Sequence, residues 1–544
     1  MSTSIELPQP SPVKRRHDLD SLRAVAMLLG IVLHAALAFS PIPWTVKDSQ
    51  QGEFYYVLFA AIHGFRMPLF FLLSGFFTAM LWRKRGLGGL IQQRLKRILL
   101  PLVIGCFTII PVMWAVSIFV SQAPTDSLET KYFDAAVAGD VETVRSAIES
   151  KKIAIDMLHP SSGASMLTSA AFCGETEMVK MLLQQGAEVN QRNSDSGTAL
   201  HAAIFMGSVE AAKLLLDAGA DPEAKDANGV TPKDNLKVDF GTTNYIAQMY
   251  GLTVDEAELN TSRADIAEML GVGDAFSADA SSPGLGALYG LFFLLPAFMH
   301  LWFLSFLCWL VAGFAVYAAV ATVVKVDRLP IWLFCSPISL LWLVPLTMLS
   351  QHFMESGTFG PGTSVGLLPI PSVLGYYAIF FFFGAIYWDL DDSEDILGRW
   401  WYLSLPIALL IVFPIGFDLI SGTLGILPED FAGTSKPLLA NLMQALFVWL
   451  MTFGSIGMFR QLLSKESKTM RYISDSSYWL YVAHLPLVIF AQWFVKDLPI
   501  PAMLKFAGII VVVSAFLLLT YEYLVRYTMI GSLLNGPKKR SKKT

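Results

Sequence analysis

Arg23 and His34 stand eleven positions apart in "DLDSLRAVAMLLGIVLHAALAF", a segment apolar enough to enter a membrane. Eleven helical steps of about 100° return to within roughly 20° of the start, so both side chains share one face, about 16 Å apart along the axis. The next apolar segment, "FAAIHGFRMPLFFLLSGFF", places His63 and Arg66 one turn apart. Ionisable side chains are expensive in hydrocarbon, so two helices that each carry a His and an Arg point to a polar cavity inside a bundle. The chemistry within reach is proton transfer beside positive charge. A neutral imidazole at His34 can act as general base on a hydroxyl. Arg66, with Arg23, offers a rigid fork of donors to phosphate, carboxylate or a polarised thioester oxygen. Two plainer readings stay open: an interhelical hydrogen bond for His34, and an ion pair of Arg66 with Asp20 or Glu522.

The elements that must position these residues follow from hydropathy. The chain has 544 residues, 54% hydrophobic and 15% charged, with mean hydropathy +0.53. Soluble domains carry about 25% charged residues, so a polytopic membrane protein is indicated. Apolar stretches of spanning length run near 20–40, 54–81, 98–120, 297–323, 331–350, 372–388, 400–420, 438–459, 477–495 and 503–527. The fold expected is therefore all-α, a membrane bundle of about ten helices. The stretch 284–298 reads as a short re-entrant or interfacial piece. Asp18, Asp20 and Arg23 interrupt the start and no cleavage pattern follows, so the first span is expected to stay as an anchor.

Placing the N-terminus inside collects Lys14, Arg15, Arg16, the Arg83–Arg97 cluster, Lys325, Arg328, Arg399, Arg460, Lys465, Lys468, Arg471 and the basic tail on one side. Little beyond Lys47, Lys436 and Lys496 falls outside. The positive-inside rule then makes both termini cytoplasmic and puts the long loop after the third span on the outer side of a bacterial inner membrane.

That loop, 124–283, is a domain of its own between two membrane parts, 1–123 and 284–544. Its net charge is −14 against +9 for the remainder. "SMLTSAAFCGETEMVKMLLQQGAEVN" from Ser165 is repeated as "TALHAAIFMGSVEAAKLLLDAGADPE" from Thr198, 33 positions on, and Thr231 begins a third unit 33 further. "DAAVAGDVETVRSAI" from Asp134 reads as a degenerate first unit. The period and the "T-x-L-H-A-A" pattern resemble ankyrin repeats, helix pairs that bury their apolar faces only against neighbours. His201 is then the histidine of a repeat turn, and a protein partner is the use the resemblance implies.

Arg23-x10-His34, "FRMPLFFLLSGFF", "RLKRILLP" from Arg94, "HLWFL" from His300 and "SYWLYVAHLPLV" from Ser477 resemble the acyltransferase 3 family of integral-membrane acyltransferases. The similarity is greatest to the branch that succinylates exported glucans. It implies acyl-CoA (succinyl-CoA or acetyl-CoA) as donor on the cytoplasmic side and a carbohydrate hydroxyl as acceptor on the outer side. It assigns catalytic roles to His34, Arg23 and Arg66, with no bound cofactor or metal. The long ankyrin loop replaces a much shorter one and departs from the family pattern.

Substrate-binding candidates complete the set. His63 accompanies Arg66. His300 and Trp302 open the fourth span, as an acceptor platform or an interface anchor. His484, before Pro486, is a cavity residue or a packing hydrogen bond. Glu522 and Arg526 suit an intrahelical ion pair. The acidic run from Asp389 to Asp395 suits a solvated connector. The Arg83–Arg97 cluster anchors the membrane face against anionic lipid or draws CoA to the inner mouth. Cys106, Cys173, Cys308 and Cys335 have no metal or redox spacing and are expected as buried small side chains. No nucleic-acid module is present. Two rivals remain: a transporter of an anionic solute, and an ankyrin-bearing docking module with an inactive acyltransferase part.

Overall fold

A computed structural model describes residues 16–536 and 538, apart from 43, 123–127, 160–162, 194–195, 227–229, 239, 273–291, 294–295, 322–329, 355–357, 391, 393, 429–430 and 432. Both domain boundaries, most of 284–298, Lys14, Arg15, Lys325, Arg328, Asp391 and the tail beyond Lys538 lie outside these residues. The described chain is all-helical, with one isolated bridge between Leu158 and Ser165.

Among the described residues, eight helices are long and apolar enough to cross a membrane. One of them, Glu53–Val120, covers the second and third expected spans in succession. Its bend is Gly86, whose φ of 68° is costly for any side chain with a Cβ. A π turn at Leu95–Leu99 follows before the helix resumes. The expected span 331–350 is not a continuous helix. It breaks into Ile331–Cys335 and Leu340–His352, because Pro337 disfavours helical backbone at Ser336, whose hydroxyl caps the amide of Ile338 instead.

The His17–Ala36 helix lies between Glu53–Arg94 and Lys468–Val495. Glu53–Arg94 packs most extensively on Pro371–Asp389, where Gly75 and Gly384 bring the two backbones into direct contact. A Cβ at either would collide with the opposing carbonyl, the close approach that small residues permit between membrane helices. Aromatic residues fill the centre: Trp449 stacks on Phe380 at 4.4 Å and gives its indole N–H to Thr347 Oγ1 at 2.9 Å.

The inserted domain has its own apolar core, distinct from that of the membrane bundle. Ser165 and Thr198 open Met166–Cys173 and Ala199–Met206, and Gly174 and Gly207 end them in left-handed backbone, as the repeat predicts. His201 Nδ1 accepts the Thr198 amide at 3.1 Å and Nε2 faces the Val230 carbonyl at 3.1 Å, so it is a turn residue. The Glu256–Met269 helix closes the stack. From it, Arg263, fully buried, reaches the Phe205 carbonyl at 2.5 Å and Thr243 Oγ1 at 2.9 Å.

Two expectations are corrected. The acidic run is only in part a solvated connector: Asp389, Glu394 and Asp395 are exposed, but Arg83 donates to Asp389 at 2.9 and 2.7 Å, and buried Asp392 meets Arg460 at 3.1 Å. The opposing cations come from distant helices, so local sequence could not reveal them. Among the cysteines, all free, Cys335 alone is fully buried and the others are half-buried. Glu522 and Arg526 pair within their helix at 2.6 Å, as expected.

Candidate active site

His34 sits in the last turn of the His17–Ala36 helix, where main-chain carbonyls run short of helical donors and that of His34 accepts from the Leu37 amide. Gln492 adds a side-chain donor: its Nε2 donates to the His34 carbonyl at 2.8 Å and to that of Ala35 at 3.3 Å. Its Oε1 accepts the Trp44 indole N–H at 2.9 Å, and the Trp44 ring stacks over His34 at 6.1 Å. One glutamine thus fixes both the helix end and the ring that covers the imidazole.

Two further histidines complete the cluster. His484 lies 5.1 Å from His34 and 6.1 Å from His300, ring centre to ring centre. His484 Nδ1 donates to the Tyr481 carbonyl at 2.8 Å, and His300 Nε2 donates to the Val482 carbonyl at 3.0 Å. Those bonds assign the tautomers and leave His484 Nε2 and His300 Nδ1 as acceptors. Both, like His34 Nδ1, are buried without a partner among the described residues. Buried polar atoms are nearly always satisfied, so three unsatisfied imidazole nitrogens in one cluster mark a site built for something besides the protein.

Arg66 belongs to the same cavity. Neither proposed ion pair forms: Glu522 is taken by Arg526, and Asp20 lies 3.8 Å from Arg23. Arg66 Nη2 points at Met67 Sδ at 3.6 Å, and its Nε has no partner among the described residues. The guanidinium lies against Gly30, where any Cβ would displace it. His63 faces the Pro361 carbonyl at 3.1 Å and stacks on Phe59. His34, His63, Arg66, His300, Trp302 and His484 all line one cavity of about 590 Å³. Trp302 is buried in its wall against Phe71, Phe306 and Tyr377, so it is no lipid-interface anchor.

Arg23 lies elsewhere. It donates to Ser474 Oγ at 2.6 Å and to the Ser474 carbonyl at 3.1 Å, in a second cavity of about 330 Å³. Three helical turns separate it from His34, enough to put the two in different chambers on one face. Arg94 and Arg97 line this second cavity too, with Gln93, Ser74 and Asn535. Arg94 donates to Thr78 at 2.7 Å, while its Nε and Gln93 Oε1 are buried without partners among the described residues.

A family model described as an acyltransferase domain matches residues 16–128 and 247–521. The chain belongs to this acyltransferase family. The match takes in the helices that build both cavities apart from Met529–Asn535, and a model for ankyrin repeats (3 copies) matches residues 133–226 within the long loop. Glucans biosynthesis protein C of Escherichia coli (strain SMS-3-5 / SECEC) is 37% identical over 94 residues, 17% of this chain and 24% of that protein. The protein of the same name from Escherichia coli (strain K12) is 36% identical over 94 residues, with the same coverage. The alignments thus span about a quarter of these curated relatives. A solved structure, the ankyrin repeat domain of Bcl-3, is 32% identical over 19% of this chain and 45% of its own, with a TM-score of 0.18.

Within this family member, reading the sequence missed Gln492, Trp44 and Tyr481. Gln492 carried a usable signal, a polar amide inside an apolar span. Trp44 and Tyr481 carried none, since aromatic residues near span ends are common for anchoring alone.

Proposed function

We propose that the protein is a membrane O-acyltransferase, moving a short acyl group, succinyl first among them, from acyl-CoA to a hydroxyl of an exported carbohydrate such as a periplasmic glucan. The observation that carries this reading is the shared cavity of His34 and Arg66, where among the described residues His34 Nδ1 has no partner and Arg66 no ion-paired carboxylate, in a chain of the acyltransferase family. His34 takes the proton as the acceptor oxygen attacks the thioester carbonyl. The carbon–oxygen bond forms, the carbon–sulfur bond breaks, and the imidazolium returns the proton to the departing thiolate. Arg66 stabilises the oxyanion between these steps. His63, His300, Trp302 and His484 shape the acceptor side. Arg23, Arg94 and Arg97 receive the phosphates of CoA on the cytoplasmic side, a role that phosphate's preference for guanidinium supports. The ankyrin domain stands on the outer side of the inner membrane, where it binds a protein partner or biases acceptor choice.

The test is the acyl content of exported glucans in a deletion strain complemented with the wild-type gene or with His34→Ala. Substitution restored by the wild type and lost with His34→Ala is expected. Equal substitution in all strains overturns the reading.

A further inference from the structure

The two cavities touch. Met27, Phe70, Phe303 and Tyr481 line both of them, each contributed by a different helix: His17–Ala36, Glu53–Arg94, Trp302–Ala321 and Lys468–Val495. Three of the four are a row of rings. Phe70 and Phe303 lie 5.9 Å apart, and Phe303 and Tyr481 5.7 Å apart, centre to centre. The wall between a chamber of histidines and a chamber of arginines is therefore one side chain thick.

We propose that Met27, Phe70, Phe303 and Tyr481 form a gate that sets which acyl groups cross between the chambers. The proposal rests on the acyltransferase reading. With donor and acceptor in separate chambers, a carbonyl carbon meets its hydroxyl only at this wall, and the acyl chain must occupy the space the rings leave. The wall presents no free charge. Its single hydroxyl, that of Tyr481, is spent on the His300 carbonyl at 2.6 Å. An apolar septum of this kind holds back the polyanionic part of the donor and passes an uncharged acyl end more readily than a succinyl end, whose carboxylate costs more to bring across.

The four residues are not equivalent. Tyr481 is tied on both sides, by its hydroxyl to His300 and by its carbonyl to His484 Nδ1 at 2.8 Å, so it is the fixed post and couples the gate to the histidines. Phe70 and Phe303 have no polar atoms and are held by packing alone, Phe303 edge-on to Phe71 at 4.8 Å. They are the leaves. Removing a leaf widens the passage without touching a charged group in either chamber. A pocket wall that meets a chain discriminates on the order of tenfold or more per methylene.

The experiment uses full-length purified protein and follows CoA thiol release with acetyl-, butyryl- and hexanoyl-CoA and a glucan acceptor. In Phe70→Ala and Phe303→Ala the hexanoyl-to-acetyl rate ratio is expected to rise at least tenfold over wild type. Variants that keep acetyl transfer with an unchanged ratio overturn the gate. Should the alanine variants fail to fold, Phe70→Leu and Phe303→Leu carry the same comparison. A second measurement needs no turnover. On a background with the four native cysteines replaced, Ser74→Cys reports the arginine chamber and Ser117→Cys the histidine chamber. In sealed vesicles a charged methanethiosulfonate reagent is expected to reach each cysteine from one side only, opposite for the two, and from both sides once Phe70 is alanine. Access to both from both sides with Phe70 in place overturns the septum. Absence of turnover by the wild type with every donor overturns the acyltransferase reading instead, and leaves the labelling result to decide the wall.

Discussion

At the scale of single residues, the decisive contrast is between polar atoms that are satisfied and polar atoms that are not. His201 has both ring nitrogens engaged and only holds a turn, whereas His34, His300 and His484 each keep a buried nitrogen without a partner among the described residues. General acid–base catalysis is worth about 10²–10⁴-fold, so His34→Ala is expected to lower kcat by that factor with KM little changed, in steady-state acyl transfer. Gln492→Leu touches no reacting atom but removes the side-chain donor to the His34 carbonyl and the acceptor of the Trp44 indole. Misplacement of a base by about 1 Å can cost 10²-fold, so kcat is expected to fall by up to about that much. A readout that separates positioning from folding is the ratio of kcat to KM effects with unchanged thermal stability. The His and Arg of the first two spans were legible because ionisable groups in hydrocarbon are rare. Their partners were not, because His34 and Gln492 lie 458 residues apart and only the packed bundle joins them.

At the scale of elements, apolar length revealed the helices, but the interruptions came from local backbone chemistry that hydropathy does not register. Ser336–Pro337 breaks a stretch that reads as a continuous span, and Gly86 bends one that continues through two. The loop after the first helix shows how tertiary contacts fix an irregular segment. Its Asp48 meets Lys505 at 2.8 Å with both side chains 1% exposed, while the Asp48 and Gly52 amides bond back to Ala38 and Phe39. Breaking one partner of such a pair costs about 3–5 kcal/mol because the other charge is left buried. Asp48→Leu and Lys505→Met are each expected to lower the unfolding temperature more than the double variant does, measured as a thermal double-mutant cycle. In the insert, Asp140 caps Val141–Glu149 by accepting from the amide and hydroxyl of Thr143, and these bonds hold its pKa below the usual 3.8. A carboxylate with a lowered folded pKa stabilises fully above the unfolded value and ceases to do so as pH falls through the folded one. The protection of the 141–149 amides in the full-length protein, with exchange rates corrected for the intrinsic effect of pH, should therefore fall below about pH 3.8 relative to pH 6, and Asp140→Asn should remove that dependence.

At the scale of the whole molecule, two structures share one chain without sharing a core. Repeat spacing and charge asymmetry made the insert legible, and the acyltransferase family model resumes beyond the ankyrin match. The chambers themselves were not legible, since a cavity is a property of helices meeting and no single segment encodes it. Arg23 illustrates the point: its helix face was predicted correctly, but the wall between it and His34 comes from side chains on three other helices as well as its own. Every described residue that lines either chamber lies outside 124–283, and among the described residues the apolar cluster that supports them contains none of the insert. The insert's core in turn is built wholly from its own helices. A protein lacking 124–283, with the ends joined by a short flexible linker, is therefore expected to insert in the membrane and to retain acyl transfer within a few-fold of the full chain. Loop closure is a weak function of length, with each doubling costing about 0.6 kcal/mol, so shortening the connection brings no large penalty of its own. What should change is selection of the acceptor or capture of a protein partner, read by competing two glucan acceptors in one reaction and by affinity recovery from the membrane fraction. Loss of transfer in a truncated protein that still runs as a folded species would place part of the catalytic apparatus in the ankyrin stack, against the separation of the two cores.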